Sequence, residues 1–213
     1  MVELGFKTLI AYLLGSVIGS LLFGRLRGVD IRTQGSGNAG GTNALRTQGW
    51  AFALGVIVVD VGKALLAVGW LPSADLPGLH PDPSVDRDWL TVACATAVVV
   101  GHVYPVWHEF RGGKGAATLV GTVLVLAPVA LVPIVAVWLL TVMLTGYVGL
   151  GTMLGSATLP VYLAVASPER TPLVVYGVLM SVFIVYTHRS NVRRMRAGSE
   201  NRARRLWLLR PRG

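Results

Sequence analysis

The chain is 213 residues long, 53% hydrophobic and only 14% charged, with a formal net charge of +9 and a mean hydropathy of +0.62. Soluble domains carry about 25% charged residues, so this composition excludes an ordinary soluble globule and points to an integral membrane protein. The single cysteine, Cys94, lies in an apolar run and excludes an intrachain disulfide.

A membrane-crossing helix needs about 20 apolar residues, with shorter spans tolerated in a packed bundle. The first such run covers 4–23 and is stopped by Arg25 and Arg27. No small-x-small cleavage site follows it, which predicts a retained helix rather than a signal peptide. A polar, glycine-rich loop leads to a second run at 50–71, then a Pro- and Asp-rich loop at 72–88, then a third run at 89–104. The apolar stretch 116–144 is longer than one span can use and contains Pro128 and Pro133, so it divides near 127–133. Runs at 150–165 and 173–186 complete an all-α bundle of about seven transmembrane helices over 1–188, followed by a basic tail over 189–213.

The basic residues orient the bundle. One set of loops holds Arg25, Arg27, Arg32, Arg46, Arg111 and Lys114, together with the arginines from Arg189 to Arg212; the other holds only Lys7, Arg87 and Arg170. The positive-inside rule makes the first set cytoplasmic, with the N-terminus outside and the C-terminus inside. Every glycine-rich polar loop then falls on the cytoplasmic face. A site built from several loops is expected to open there.

Three loops carry the chemistry. The first, Gly35-Ser36-Gly37-Asn38-Ala39-Gly40-Gly41-Thr42-Asn43-Ala44-Leu45-Arg46, contains G-x-G-x-x-G, but it lies between transmembrane runs rather than after a strand of a βαβ unit. The dinucleotide reading therefore fails. What survives is a flexible backbone with hydroxyls from Ser36 and Thr42, amides from Asn38 and Asn43, and the guanidinium fork of Arg46, all suited to a phosphate. The second loop, Gly112-Gly113-Lys114-Gly115, frames a cation with glycines and leads into Ala116-Ala117-Thr118, a phosphate cradle that is not a Walker A motif. The third is the turn Thr145-Gly146-Tyr147-Val148-Gly149-Leu150-Gly151-Thr152, in which Thr152 offers a hydroxyl.

Beside these loops stand supporting residues. His102 ends the third apolar run next to the lysine loop, and Asp60 and Lys63 share one face of the second run. Intramembrane charges are costly and usually paired, so these two read as an ion pair beneath a site. His188 and Asn191 follow the last run, three apart. The arginines beyond them suit anionic lipid headgroups better than nucleic acid, because a bilayer is adjacent.

Together these patterns resemble the bacterial integral-membrane acyl-phosphate:glycerol-3-phosphate acyltransferases, the PlsY family, over essentially the whole chain. The likeness rests on Gly35 to Arg46, on Gly101-His102…Pro105…Phe110…Gly112-Gly113-Lys114-Gly115…Thr118, on Asp60…Lys63, and on His188-Arg189-Ser190-Asn191…Gly198-Ser199-Glu200. The resemblance implies transfer of a fatty acyl group from acyl phosphate to glycerol 3-phosphate, giving lysophosphatidate and phosphate at the cytoplasmic membrane, with no cofactor and no metal. It implies Ser36, Lys114, His188 and Asn191 as catalytic residues. Gly37, Asn38, Thr42, Asn43, Arg46, Gly112, Gly113, Gly115 and Thr152 would hold substrate phosphates, with Asp60, Lys63, His102 and Thr118 in support. The implied partners are both substrates, membrane lipids and a soluble PlsX-type enzyme that makes acyl phosphate. The third motif departs from the family pattern: Gly149 stands where a serine is usual and Thr152 where a second serine is usual. Either His188 or a substrate phosphate oxygen would accept the hydroxyl proton. A phosphate-ester transporter and a non-catalytic lipid-binding protein are the rival classes.

Overall fold

A computed structural model describes residues 1–209; the last four, including Arg210 and Arg212 of the basic tail, lie outside the described residues. Among the described residues the chain forms ten α-helices and no extended strand. Contacts divide it at Leu126 into two compact units. The boundary falls inside the long apolar stretch, and the segment after His188 belongs to the second unit.

The first unit holds α1 (Val2–Gly15), α2 (Gly19–Leu26), α3 (Gly41–Gln48), α4 (Trp50–Leu65), α5 (Arg87–Val103) and α6 (Ala116–Leu126). The run expected as one helix over 4–23 is two, bent by 45° at Ser16-Val17-Ile18. The bend frees carbonyls of Gly15 and Val17, and Lys63 Nζ donates to both, at 2.8 and 2.7 Å. A buried helix break needs such partners, because an unpaired backbone group in a membrane costs several kcal/mol. α1 packs on α5 through small residues: a Cβ at Gly15 would lie 2.3 Å from the Val98 carbonyl oxygen, and one at Gly101 would lie 2.2 Å from that of Tyr12. At the far end of α1, the Glu3 carboxylate is buried and accepts from Lys7 and both arms of Arg87. Beyond α4 the helix loosens into a wide π turn (Leu66–Trp70) and a 3₁₀ turn (Leu71–Ser73).

The second unit holds α7 (Leu131–Thr145), α8 (Val148–Ala166), α9 (Thr171–Thr187) and the short basic α10 (Arg189–Arg196). The proline break falls at Ala127 and a 3₁₀ turn, Pro128–Ala130. Pro133 sits in the first turn of α7, where its missing N–H has no helical partner to lose. α7 packs on α8 across Gly151 and Gly155, whose added Cβ atoms would each lie 2.9 Å from a carbonyl of α7.

Among the described residues four helices are long and apolar enough to cross a membrane, up to six if each bent pair counts as one span, and α6 is a shorter apolar helix. Many of their large apolar side chains point outward: Leu54, Val58, Val132, Leu140, Val161, Val165 and Val182 are all more than half exposed. In water such surfaces would drive aggregation; against lipid tails they are at home.

Candidate functional site

In the first unit, α2 gives way to Asp30, whose carboxylate caps the 3₁₀ turn Ile31–Thr33 and grips Arg32 at 2.8 Å. Arg32 beside it holds the Asp30 carboxyl below the usual carboxylate range. The same guanidinium reaches the carbonyls of His108 and Arg111 at 3.4 and 3.5 Å, so it links the first polar loop to the segment leading into the lysine loop. Neither Asp30 nor this role of Arg32 was evident in the sequence, where an i, i+2 charge pair carries no periodic signal.

Asn43 organises the first loop from within. It is 1% exposed, its Oδ1 accepts from the Ser36 backbone N–H at 2.9 Å, and its Nδ2 donates to the carbonyls of Ile31 and Gln34. Two amide hydrogens and one carbonyl oxygen are thus engaged inside the protein. Gly35 must lie against this amide, since a Cβ there would fall 2.4 Å from Asn43 Oδ1 and its φ of +56° is left-handed. Ser20 fastens the loop to α2 by donating to the Ala39 carbonyl at 2.9 Å. Ser36 and Asn38 are half-buried on this frame, with the Asn38 amide folded over Gly40, while Thr42 and Arg46 on α3 are exposed.

The lysine loop is clamped to the end of α5. The Gly112 N–H donates to the Val103 carbonyl and the Gly113 N–H to that of His102, both at 3.1 Å. These two amides therefore brace the loop. The preceding residues Glu109 and Phe110 both adopt left-handed conformations, φ 56° and 57°, an uncommon strain of the kind that gathers at functional loops. Gly113 and Gly115 are buried, Gly112 and Lys114 half-buried, and Thr118 fully buried in the first turn of α6. The Thr118 hydroxyl has no hydrogen-bond partner among the described residues.

Under this loop lies a buried cluster. Lys63 Nζ sits 3.2 Å from Asp60 Oδ1 and 2.9 Å from His102 Nδ1, besides the two carbonyls at the α1–α2 bend. Asp60 Oδ1 also accepts the Gly19 N–H that opens α2. The His102 ring continues upward to Gly113: a Cβ at 113 would lie 2.1 Å from His102 Nε2. The expected ion pair is present, and it is one end of a chain of contacts that runs Asp60, Lys63, His102, Gly113.

In the second unit, His188 ends α9 and opens α10. Its Nδ1 lies 2.8 Å from the Ile184 carbonyl, which can only accept, so in the neutral ring Nδ1 carries the hydrogen and Nε2 the lone pair. Asn191, one turn on and buried, donates to Glu200 Oε1 at 2.8 Å, and Arg194 holds the other carboxylate oxygen at 2.6 Å. Gly149 lies directly against Asn191, its added Cβ 2.7 Å from Nδ2. Thr152 is half-buried on α8 and donates back to the Val148 carbonyl at 3.0 Å. Among the described residues no group of three or more His, Cys, Asp or Glu is placed to hold a metal.

Comparison with known proteins gives a consistent picture. The family model described as glycerol-3-phosphate acyltransferase matches residues 6–198. Curated relatives of that name include one from Synechococcus elongatus, 41% identical over 91% of both chains, and one from Chlorobaculum parvum, 34% identical over 91% of this chain and 93% of the relative. Among solved structures, crystal structures of PlsY (YgiH), an integral membrane glycerol 3-phosphate acyltransferase, match at 31% identity over 93% of this chain and 94% of theirs. The TM-scores are 0.79 for the glycerol 3-phosphate form and 0.76 for the lysophosphatidic acid form.

Proposed function

The chain belongs to the glycerol-3-phosphate acyltransferase family, and from that premise we propose that it moves a fatty acyl group from acyl phosphate to glycerol 3-phosphate. The glycerol hydroxyl oxygen bonds to the acyl carbon, the acyl–phosphate bond breaks, and the hydroxyl proton passes to His188 or to a phosphate oxygen. The products are lysophosphatidate and inorganic phosphate. The observation that carries the reading is the lysine loop: a glycine-framed cation clamped onto α5 by two backbone hydrogen bonds in a chain whose relatives act on a phosphate ester.

Lys114 and Arg46 supply charge for the glycerol 3-phosphate phosphate, with Ser36, Asn38 and Thr42 as neutral donors. Gly112 and Gly113 contribute by letting the loop lie close to His102, and Gly115 by admitting the turn into α6. Thr152, His188 and Asn191 are the candidate functional residues of the second unit, with His188 Nδ1 against the Ile184 carbonyl. Phosphate is a good leaving group, so positioning and charge stabilisation suffice without an enzyme nucleophile. The hydroxyl proton has two candidate acceptors, His188 and a phosphate oxygen with a second pKa of about 6. Asn43, Asp60, Lys63 and His102 hold the loops in shape rather than touching substrate.

In this reading the chain is a bundle of about seven transmembrane helices in the bacterial inner membrane, with the N-terminus outside and the polar loops facing the cytoplasm, an orientation supported by the clustering of arginine and lysine in those loops. A soluble PlsX-type enzyme delivers acyl phosphate there. The test uses purified protein in nanodiscs supplied with glycerol 3-phosphate and, in separate arms, acyl phosphate, acyl-coenzyme A or acyl carrier protein. Lysophosphatidate and stoichiometric phosphate should form with acyl phosphate alone, and Lys114→Ala should abolish both while the protein stays inserted and helical. Product from a thioester donor but none from acyl phosphate overturns the donor assignment.

A further inference from the structure

The segment after α10 is not a loose basic tail. Its backbone is fastened to the turn between α7 and α8: the Ala203 N–H donates to the Gly146 carbonyl at 2.7 Å and the Leu208 N–H to the Met143 carbonyl at 2.9 Å. Trp207 Nε1 donates to the Leu144 carbonyl at 3.1 Å, using a carbonyl that the end of α7 leaves without a helical partner. Arg202 is stacked between two rings, its guanidinium carbon 4.5 Å from the Tyr147 centroid and 4.2 Å from that of Trp207, and it donates to the Tyr147 hydroxyl. Gly146 makes room for this strap: its φ is +75°, and a Cβ there would lie 3.1 Å from Arg202 and 3.2 Å from the Trp207 ring.

The strap presents two chemistries side by side. Arg202, Arg204 and Trp207, with Glu200 and Asn201, line an open polar cavity of about 400 Å³. The Glu200 carboxylate does not repel an anion strongly, because Arg194 and Asn191 already hold its two oxygens. Arg193, Arg194 and Arg196 of α10 and Arg205 add cations nearby in the chain. Next to the cavity, Leu206, Leu208 and Leu209 are 44%, 68% and 65% exposed. The strap is tied to the ends of α7 and α8, both apolar enough to span a bilayer, so it lies at the level where headgroups meet acyl chains.

A cationic cavity, an amphipathic tryptophan and outward leucines at that depth are complementary to one partner. We propose that residues 200–209 are a docking surface for anionic phospholipid headgroups of the surrounding bilayer. An acidic headgroup sits on Arg202 and Arg204, the leucines enter the acyl region, and the occupied strap holds the α7–α8 turn and hence the start of α8, which bears Gly149 and Thr152. The proposal stands apart from the acyl-transfer reading, since its test does not use turnover.

The experiment is hydrogen exchange of the full chain in nanodiscs of zwitterionic lipid, compared with the same discs doped with phosphatidylglycerol. Amides of 200–209 and of the α7–α8 turn should exchange about tenfold more slowly in the anionic discs, while the loop at the opposite ends of α8 and α9, around Arg170, should not change. The Arg204→Glu/Arg205→Glu variant, which leaves the Arg202 stack in place, should lose most of that protection, as should wild-type protein at high salt. Equal exchange in both discs overturns the proposal. So does protection in zwitterionic discs by inorganic phosphate alone, or by a polynucleotide where anionic lipid gives none.

Discussion

His102 Nε2 occupies the space that any side chain at position 113 would need, with a Cβ built on Gly113 only 2.1 Å away. The imidazole is rooted by Lys63 at its other nitrogen, and Gly113 is tied to the same residue's carbonyl at 3.1 Å. The lysine loop is thus seated on a ring that cannot retreat.

Gly113→Ala should therefore lift the loop while leaving the helices intact. A displacement of about 1 Å in a positioning group can lower a rate by about 10²-fold. The expected outcome is a fall of that order in kcat/KM for glycerol 3-phosphate, with unchanged helical circular dichroism and membrane insertion. Near-normal kinetics would show that the loop's seat on His102 has no bearing on the reaction.

Lys63 serves the α1–α2 bend, Asp60 and His102 at once. Lys63→Met leaves Asp60 buried without its cation and two carbonyls without a donor. Removing one partner of a buried pair typically costs about 3–5 kcal/mol. A marked drop in thermal midpoint in detergent is expected, partly recovered in the Asp60→Asn/Lys63→Met double variant because the stranded charge is then gone. No recovery would indicate that the bend, not the ion pair, dominates the role of Lys63.

Gly149 departs from the serine usual in the resembling family, and Asn191 explains what the glycine admits. A Cβ there would sit 2.7 Å from Asn191 Nδ2 and 3.1 Å from Asn191 Cβ. Gly149→Ser should push the amide away from Glu200 and reduce activity, with Gly149→Ala at least as damaging because it brings bulk without a hydroxyl. If Gly149→Ser instead raises turnover, the family serine has a role that outweighs the lost Asn191–Glu200 contact.

Asp30 gives a pH signature outside the membrane. Its pKa is lowered by Arg32, so the pair's contribution is present above the unfolded carboxyl value, about 3.9, and is lost as pH falls through the lower folded value. Asp30 is 40% exposed, and pairs of that kind are worth about 0–1 kcal/mol. A small, acid-only loss of stability is expected in wild type below about pH 4, and Asp30→Asn should flatten it. Melting curves between neutral pH and the acid limit measure the difference.

Membrane character, the order of the apolar runs, the proline break and the three polar loops were legible in the amino-acid sequence because each is a local pattern. Run length, a proline inside an apolar stretch and glycines framing a charge carry their physics in a few neighbouring residues. The family likeness likewise followed from spacing within short motifs. What local pattern cannot carry is the use to which each polar atom is put. Asn43 read as a phosphate ligand, yet its amide is engaged between Ser36, Ile31 and Gln34. The amides of Gly112 and Gly113 read as phosphate donors, yet they are directed at Val103 and His102. The bend at Ser16–Ile18 was invisible in an unbroken apolar run, because its stability comes from Lys63, more than forty residues away in sequence. Hydrogen-bond donors in a lipid-facing protein must be satisfied by whatever the fold brings near, and that assignment exists only once the helices are packed.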